Sequence, residues 1–272
     1  MKKSVGEIER SLIKSYRKEL WVRFIRAVKN YQLVEEGDKI AVAISGGKDS
    51  LTLAKLFQEL QRHGQQSFDL EFICMDPGYR PEVRKQVEET CQGLGIPVKV
   101  HDSDVFEVAE KMTDGGAPCY MCARMRRGNL YNRAQELGCN KLALGHHFND
   151  VIETILMNVL YSANFKTMMP KLKSQNFQGL ELIRPMYLIH EEDIIRFMRS
   201  TGYEAIDCAC TVTQKKDSST RFKIKQMIED MKEDNKNVEI SIFRSAENVN
   251  QDAIIGWIEN GEKKSFLDKY DS

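Results

Sequence analysis

The sequence predicts an α/β fold: a doubly wound parallel sheet with helices on both faces, and helical extensions at the N- and C-termini. Three observations support this. Short apolar runs typical of strands alternate with stretches of helical periodicity between residues 39 and 200. Repeated βα units of this kind build parallel sheets through right-handed crossovers. The chain has 272 residues, of which 42% are hydrophobic and 29% charged, enough for one large core without disulfide support.

The individual elements follow from local periodicity. Residues 5–30 carry apolar side chains at helical spacing, so we predict one amphipathic helix that ends before Gly37-Asp38. After it, short apolar runs predict strands, and the longer periodic stretches between them predict helices. The strands are predicted at 39–44, 70–75, 98–101, 141–144 and 182–188, and the helices at 49–62, 80–94, 104–111, 119–137, 150–161 and 191–200.

The βα pattern weakens beyond Gly202. Residues 211–220 are polar and loop-like, and residues 221–231 predict another helix. An apolar group near the end suits a closing helix, formed by Ile254, Ile255, Trp257 and Ile258. We therefore predict three parts: an N-terminal helical segment (1–36), a central α/β domain (37–205) and a C-terminal segment with closing helices (206–272).

Charge and hydropathy narrow the functional class. No apolar run approaches the roughly 20 residues that span a bilayer, and Met1-Lys2-Lys3-Ser4 is not followed by the apolar stretch of a signal peptide. We expect a cytoplasmic protein without a membrane partner. The formal net charge is 0, so overall charge gives no support for nucleic-acid binding. Contact with RNA would need local basic patches, such as the lysines and arginines of the first helix.

The loop Ser45-Gly46-Gly47-Lys48-Asp49-Ser50 joins the first strand to the first central helix. Glycines let backbone N–H groups approach phosphate oxygens, and the following helix presents its positive N-terminal end. Lys48 adds a charge, while Asp49 is placed to hold a metal bound to phosphate. The Walker A spacing is absent. The alternative is a generic Ser/Gly turn before a helix, but the loop favours a nucleotide phosphate site.

The seven cysteines fall into two groups. Cys74, Cys91 and Cys139 lie in strand- or helix-like patterns, which predicts small buried side chains. Cys119 and Cys122 stand three positions apart at a predicted helix start, where thiolates are favoured and can share a metal or cluster. Cys208 or Cys210 would supply the remaining ligand. Structural zinc, a redox pair and an iron–sulfur cluster all remain open at this point.

These motifs together resemble a known family. The loop resembles the SGGxDS loop of PP-loop pyrophosphatases, which have an adenine nucleotide alpha hydrolase-like fold and split ATP between the α- and β-phosphates. The chain from about Leu20 to Met231 is similar to the tRNA-2-thiocytidine synthetase family. Its anchors are SGGKDS at Ser45, PCYMCARMRRG at Pro118, LALGHHFNDVIET at Leu142, IRPM at Ile183 and the segment ending at Cys208.

The resemblance implies ATP-dependent replacement of the C2 oxygen of a tRNA pyrimidine, cytidine 32, by sulfur. ATP would adenylate that oxygen, and an iron–sulfur cluster would deliver the sulfur. Its implied cofactors are ATP, Mg²⁺ and a 4Fe-4S cluster held by Cys119, Cys122 and Cys208, with Cys210 as the alternative third ligand. We assign catalysis to Asp49, Asp150 and Arg127. The ATP site is assigned to Ala43, Ser45, Gly46, Gly47, Lys48, Asp49, Ser50, Asp76, Gly145, His146 and Asp150.

The implied partners are a tRNA substrate, a sulfur donor such as a cysteine desulfurase, and a second copy of the chain in a homodimer. Two departures from the family pattern leave alternatives open. Asn149-Asp150 replaces the usual pair of aspartates, and the second cysteine segment is CxC instead of CxxC. The alternatives are a PP-loop thiolase or amidotransferase acting on another tRNA base or a small molecule, and a non-catalytic sensor that binds ATP or a cluster.

Overall fold

A computed structural model describes residues 1–103, 119–206 and 219–270; the side chains of residues 119–124 and 126 are outside that description. The described helices are α1 (Val5–Ile13), α2 (Val22–Asn30), α3 (Lys48–His63), α4 (Pro81–Gly93), α5 (Cys119–Glu136), α6 (Phe148–Ser162), α7 (Glu191–Thr201), α8 (Thr220–Asp234) and α9 (Val238–Ser245). The strands are β1 (Lys39–Ile44), β2 (Asp69–Asp76), β3 (Val98–Asp102), β4 (Lys141–Ala143), β5 (Lys171–Lys173), β6 (Glu181–Ile183), β7 (Gly256–Glu259) and β8 (Glu262–Ser265). The helix predicted at 104–111 lies outside the described residues.

The central sheet has six strands in the order β3-β2-β1-β4-β6-β5. All neighbouring pairs are parallel except β5 and β6, which are antiparallel. The chain leaves β1 toward β2 and β3 and then returns to place β4 on the other side of β1. This reversal makes the carboxyl ends of β1 and β4 the switch point, where a crevice for ligands forms. The predicted α/β class is confirmed.

Apolar side chains on both faces of the sheet explain its position in the protein. Along β1, Ile40 and Val42 belong to one buried cluster, whereas Ala41 belongs to another. On β2, Phe72 and Ile73 divide in the same way. Side chains alternate across a strand, so a strand that is buried on both faces must have an almost continuous apolar run.

The N-terminal segment is not one continuous helix, so that prediction is wrong. The helix from Val5 ends at Ile13, and a π-helical turn at Arg17–Trp21 precedes the helix Val22–Asn30. The Tyr16 N–H donates to the Ser11 carbonyl at 2.9 Å, which makes a wide turn. The wide turn and the π-helical turn bring Leu20 and the residues after it back into the same buried cluster as Ile8, although strict helical spacing is lost.

The strand predicted at 182–188 is too long. Strand β6 ends at Ile183, and Pro185, which has no N–H to give to a neighbouring strand, follows shortly after. The chain turns instead, because Tyr187 N–H donates to the Arg184 carbonyl at 3.2 Å and Ile189 N–H to the Met186 carbonyl at 2.9 Å. The antiparallel strand β5 was not predicted, since Lys171–Lys173 is short and polar.

Contacts divide the chain into two compact units, Met1–Val151 with Met168–Ser219, and Ile152–Thr167 with Thr220–Ser272. In the second unit, the predicted closing helix is wrong. Gly256–Glu259 and Glu262–Ser265 form an antiparallel hairpin. Asn260 and Gly261 both have positive φ, 52° and 85°, as a two-residue hairpin turn of the I′ type requires.

None of the helices described here is long and apolar enough to cross a membrane.

Candidate active site

The loop after β1 is held by hydrogen bonds of its two serines. Ser50 Oγ accepts from the Ser45 N–H at 3.1 Å and donates to the Gly47 carbonyl at 2.9 Å. Ser45 Oγ in turn accepts from the Gly47 N–H at 3.3 Å. Gly47 is the N-cap of the helix Lys48–His63, and Gly46 has a φ of +79°. These hydrogen bonds within the loop fix it at a helix N-terminus, which is the geometry of a phosphate site.

Gly46 and Gly145 make close approaches that a side chain would disturb. A Cβ at Gly46 would lie 3.0 Å from Val87 Cγ2 and 3.1 Å from Ile206 Cδ1. The Gly46 carbonyl also accepts from the Ile206 N–H at 2.9 Å. A Cβ at Gly145 would lie 3.2 Å from the carbonyl carbon of Asp49 and 3.2 Å from the Ser50 nitrogen. Residue 145 therefore lies directly against the loop backbone, as its assignment to this site expects.

Replacing Gly46 with alanine is expected to weaken ATP binding by about tenfold or more, because strain and crowding both distort the loop. Gly37→Ala is the matched control. Gly37 has the same φ of +79°, but nothing lies within 4 Å of the added Cβ. Thermal melting and ATP titration check the pair: both variants should lose thermal stability, and only Gly46→Ala should lose ATP affinity. Equal ATP affinity in the two variants would contradict this assignment.

Lys48 lies between two carboxylates. Its Nζ is 3.0 Å from Asp49 Oδ2 and 3.0 Å from Glu191 Oε1. Burial lowers the pKa of Lys48, but the two carboxylates outweigh burial and raise it above its usual value. Lys48 is therefore a fixed positive charge at the loop. Sequence reasoning missed Glu191; its position at the first residue of a helix that follows a strand of the sheet was the available signal.

Asp49, His147 and Asp150 form a second cluster beside the loop. His147 Nε2 lies 3.8 Å from Asp49 Oδ1 and 3.5 Å from Asp150 Oδ2. The His147 N–H also donates to Asp150 Oδ2 at 3.0 Å. His147 is 5% exposed, so these contacts are enclosed. Asp49 and Asp150, which were assigned to one site, therefore both lie beside His147.

One carboxylate oxygen of Asp49 is buried and has no hydrogen-bond partner among the described residues. Although 30% of the Asp49 side chain is exposed, Oδ1 is buried and accepts no hydrogen bond from the described residues. Burial raises the pKa of Asp49, against the opposing effects of His147 and Lys48. An orphaned carboxylate oxygen fits a hard cation such as Mg²⁺, which prefers one or two carboxylates and completes its shell with phosphate and water. No group of three or more metal-ligating side chains occurs in the described parts of the chain.

Asp76 ends β2, but its carboxylate is largely occupied. Oδ1 accepts from the N–H groups of Gly78 at 2.8 Å and Tyr79 at 2.6 Å, and Oδ2 lies 3.4 Å from Arg84 Nη1. These bonds shape the turn that follows β2. Ala43 is half-buried in β1, two residues before Ser45. The assignments of Ala43 and Asp76 to ATP stay predictions.

His146 and Arg127 lie by a separate cavity. His146 Nδ1 accepts from Arg184 Nε at 3.3 Å. His146 and Arg184 line a cavity of about 650 Å³, and the exposed Arg127 lines it too. Gly47, Lys48 and Asp49 instead border a cavity of about 840 Å³ that also includes Glu191. From the sequence, His146 was assigned to the nucleotide and His147 was not, yet His147 is the histidine that lies by Asp49.

The cysteine ligand set is only partly described. Cys119 and Cys122 belong to the first turn of α5, but their side chains are outside the described part, as are Cys208 and Cys210 entirely. Cys74, Cys91 and Cys139 are buried, as predicted. Burial raises the pKa of Cys91 to about 12 and that of Cys139 to about 11.

We expect Cys91 and Cys139 to resist alkylation in the folded protein at pH 8, because the reactive thiolate is scarce and the side chains are buried. Iodoacetamide labelling followed by peptide mass spectrometry tests this, with urea-unfolded protein as the positive control. Rapid native labelling at either cysteine would contradict it.

Comparison with known proteins agrees with this geometry. A profile of the PP-loop domain matches residues 18–231. The tRNA-cytidine(32) 2-sulfurtransferase of Syntrophotalea carbinolica is 38% identical over 226 residues, covering 82% of this chain and 86% of the relative. The enzymes of the same name from Citrifermentans bemidjiense and Geobacter metallireducens are 36% and 38% identical, each over 82% of this chain and over 88% and 87% of the relative.

A solved structure shares the fold. The U34-tRNA thiolase NcsA from Methanococcus maripaludis, determined with its [4Fe-4S] cluster, superimposes with a TM-score of 0.67 at 23% identity. The match covers 83% of this chain and 76% of the thiolase. At this identity the likeness supports the fold.

Proposed function

Because this chain belongs to the tRNA-cytidine(32) 2-sulfurtransferase family of PP-loop proteins, we propose that it uses ATP to replace the C2 oxygen of cytidine 32 in tRNA by sulfur. The pyrimidine oxygen is a poor leaving group. Its attack on the α-phosphate of ATP gives an adenylated base and pyrophosphate, and sulfur then displaces AMP. The observation that carries the proposal is a folded phosphate loop with Lys48 and an orphaned Asp49 oxygen beside it.

The loop residues support the ATP half of the reaction. First-turn N–H groups of the helix from Lys48, together with the loop glycines, suit the pyrophosphate part of ATP. Lys48 would stabilise the negative charge that develops on the leaving pyrophosphate. Glu191 binds Lys48 together with Asp49, and the two contacts limit the movement of the ammonium group.

Asp49 and Asp150 would hold Mg²⁺ between the protein and the phosphates. Both carboxylates approach His147, so they share one small region, and Asp49 Oδ1 is available there. A cation at this place would neutralise both the carboxylates and the phosphates. Arg127, which is exposed on α5, would steady phosphates of ATP or RNA.

Cys119, Cys122 and Cys208 would hold a 4Fe-4S cluster, with Cys210 as the alternative to Cys208. When bound, the cluster supplies the sulfur that replaces the oxygen. The helix N-terminus at Cys119 favours the thiolate form that a ligand needs. The related fold of a tRNA thiolase that carries a [4Fe-4S] cluster agrees with this assignment.

Further parts of the proposal concern partners and organisation. The tRNA substrate and a sulfur donor of the cysteine desulfurase type meet the enzyme in the cytoplasm, and the enzyme acts as a homodimer. We retain segments 1–36, 37–205 and 206–272 as functional parts, of which the first contacts RNA phosphates through its lysines and arginines. Light scattering of the purified protein tests the dimer, and charge reversal in segment 1–36 tests the RNA contact.

Thionucleoside analysis in cells tests the function. Deleting the gene should remove 2-thiocytidine from digested tRNA, and the intact gene on a plasmid should restore it. A plasmid copy with Lys48→Met should not restore it, since the loop then lacks its charge. Normal 2-thiocytidine in the deletion strain would contradict the assigned substrate.

A further inference from the structure

The two consecutive histidines after β4 serve different surroundings. His147 lies against Asp49 and Asp150, on the side of the phosphate loop. His146 accepts a hydrogen bond from Arg184 and lines the 650 Å³ cavity, which we call the arginine cavity. Two adjacent residues therefore contact two different places, the carboxylate cluster and the arginine cavity.

The arginine cavity lies at the carboxyl ends of β4 and β6. Leu144 and His146 follow β4, and Arg184 follows β6 directly. Its remaining wall combines apolar and aromatic side chains, among them Tyr131 and Phe177, with the polar residues 174–176 and the cations Arg127 and Lys173. Its volume of about 650 Å³ is within the range of about 300–1,000 Å³ for small-ligand sites.

Arg184 is the unusual group in this cavity. It is 9% exposed, and burial lowers the pKa of its guanidinium, although a guanidinium stays charged in proteins. Arg184 Nε donates to His146 Nδ1 at 3.3 Å, and Nη1 donates to the Met169 carbonyl at 2.5 Å. A guanidinium has five N–H donors, and these two bonds use two of them in a side chain that lines the open volume.

The hydrogen bond from Arg184 also sets the form of His146. Because Nδ1 accepts, the neutral ring must carry its proton on Nε2. The fixed guanidinium of Arg184 thus presents donors to a chamber whose wall is partly apolar and aromatic. Tyr131 is 8% exposed and packs edge-to-face on Phe177, with ring centroids 5.1 Å apart, so this part of the wall is rigid.

We propose that the arginine cavity receives the target base of the tRNA, and that Arg184 reads cytosine through its O2 and N3 acceptors. This inference rests on the proposed function. Proteins bind unpaired RNA bases by stacking on aromatic side chains and by hydrogen bonds to the base edge, which is what this wall offers. A neutral base can use the aromatic and apolar part of the wall together with its polar donors, whereas a phosphate would lose water of hydration against that apolar part at a large cost.

The same geometry gives a reason for base specificity. Cytosine presents two neighbouring acceptors, O2 and N3, which match two parallel N–H groups of a guanidinium. Uracil presents an N3–H donor at that place, so one N–H of Arg184 would face another donor. Arg184 is thus a binding residue that selects cytidine over uridine.

Binding of two anticodon stem-loop RNAs to the holoprotein tests the inference. The RNAs differ only in carrying cytidine or uridine at the target position, and fluorescence anisotropy measures both dissociation constants. Wild-type protein should prefer cytidine by about tenfold, the size of one good bidentate contact. Arg184→Lys should lose that preference and keep its affinity for ATP, because a lysine cannot form the planar fork.

A second cavity variant and a control on the same helix complete the design. Tyr131→Leu should weaken the binding of both RNAs by about tenfold, because stacking is lost, and should keep the preference for cytidine. Arg133→Lys is the control, because Arg133 bonds to His101 and Glu136 away from the cavity, and it should behave as wild type. Thermal melting identifies any variant that fails to fold, in which case Tyr131→Leu alone decides.

The outcomes separate this inference from the proposed function. An unchanged cytidine preference in Arg184→Lys, no preference in wild type, or unchanged affinity in Tyr131→Leu overturns it. A loss of ATP affinity in Arg184→Lys as large as its loss of RNA affinity also overturns it, since the cavity would then serve the nucleotide. If wild type prefers cytidine through Arg184 and yet forms no thionucleoside, the inference stands and the proposed reaction fails.

Discussion

Asp49→Asn is expected to lower the rate of tRNA thiolation by about 100- to 1,000-fold, the usual cost of removing one preorganised charge at a phosphoryl-transfer site. The enclosed Oδ1 atom of Asp49 is the best-placed cation ligand beside the loop. An amide oxygen binds a divalent cation much less well than a carboxylate does. Single-turnover formation of AMP, measured with a range of Mg²⁺ concentrations, checks the rate and its metal dependence.

The same substitution should not reduce stability, which separates a role in catalysis from a role in folding. Burial raises the pKa of Asp49 above its unfolded value, so the ionised group opposes folding at neutral pH. That opposition disappears as the pH falls through the folded-state pKa. We therefore expect Asp49→Asn to melt at or above the temperature of wild type at pH 7.5. Wild-type thiolation rates in this variant would contradict the account.

Asp69→Asn is the matched control for Asp49→Asn. Asp69 is an exposed aspartate at the first residue of β2, outside the site. This variant should keep the wild-type rate, Mg²⁺ dependence and melting temperature. A loss of activity equal to that of Asp49→Asn would show that the effect reflects overall charge instead of cation binding.

Cys119→Ser and Cys122→Ser are each expected to abolish thiolation and the visible absorption of the cluster. A 4Fe-4S cluster held by three thiolates does not tolerate the loss of one. ATP affinity should stay within about twofold of wild type, because the Ser45–Ser50 loop is held by its own hydrogen bonds. Anaerobic purification, with iron and sulfide analysis of each variant, makes the comparison.

Three further cysteine variants complete this prediction. Cys208→Ser should behave like Cys119→Ser, whereas Cys210→Ser should keep the cluster; the opposite result would make Cys210 the third ligand. Cys139→Ala is the control, because Cys139 is buried with a pKa of about 11 and belongs to the apolar cluster below the sheet. Stoichiometric zinc and no iron in wild-type protein would contradict the cluster assignment altogether.

Much of the fold was predictable because local pattern and tertiary environment agree there. Lys39–Ile44 is almost continuously apolar, and the structure buries it on both faces. The errors occur where long-range packing decides. The N-terminal segment follows a wide turn and a π-helical turn that helical spacing alone does not reveal. The hairpin near Gly256 was taken for a helix, because a short apolar run fits either structure and Asn260-Gly261 was the overlooked turn signal.

The site shows the same division. Ser45–Ser50 and Asp150 could be named because motif and strand order place them together. Glu191 and Arg184 were missed, because each comes from a segment after β6 that reaches the site only when β6 pairs with β4. The directions of His146 and His147 were equally hidden, because which of two neighbouring side chains faces the loop depends on how the chain leaves β4.

The central claim is that cleavage of ATP to AMP and pyrophosphate and the replacement of one cytidine oxygen by sulfur are one reaction of this chain. The most direct measurement incubates the anaerobically purified holoprotein with unmodified tRNA, ATP, Mg²⁺ and sulfide. Mass spectrometry then locates sulfur in the digested RNA while AMP is quantified in the same sample. The account predicts 2-thiocytidine at position 32 and one AMP for each sulfur added. Sulfur at another base, ADP in place of AMP, or AMP formation without thiolated tRNA would contradict it.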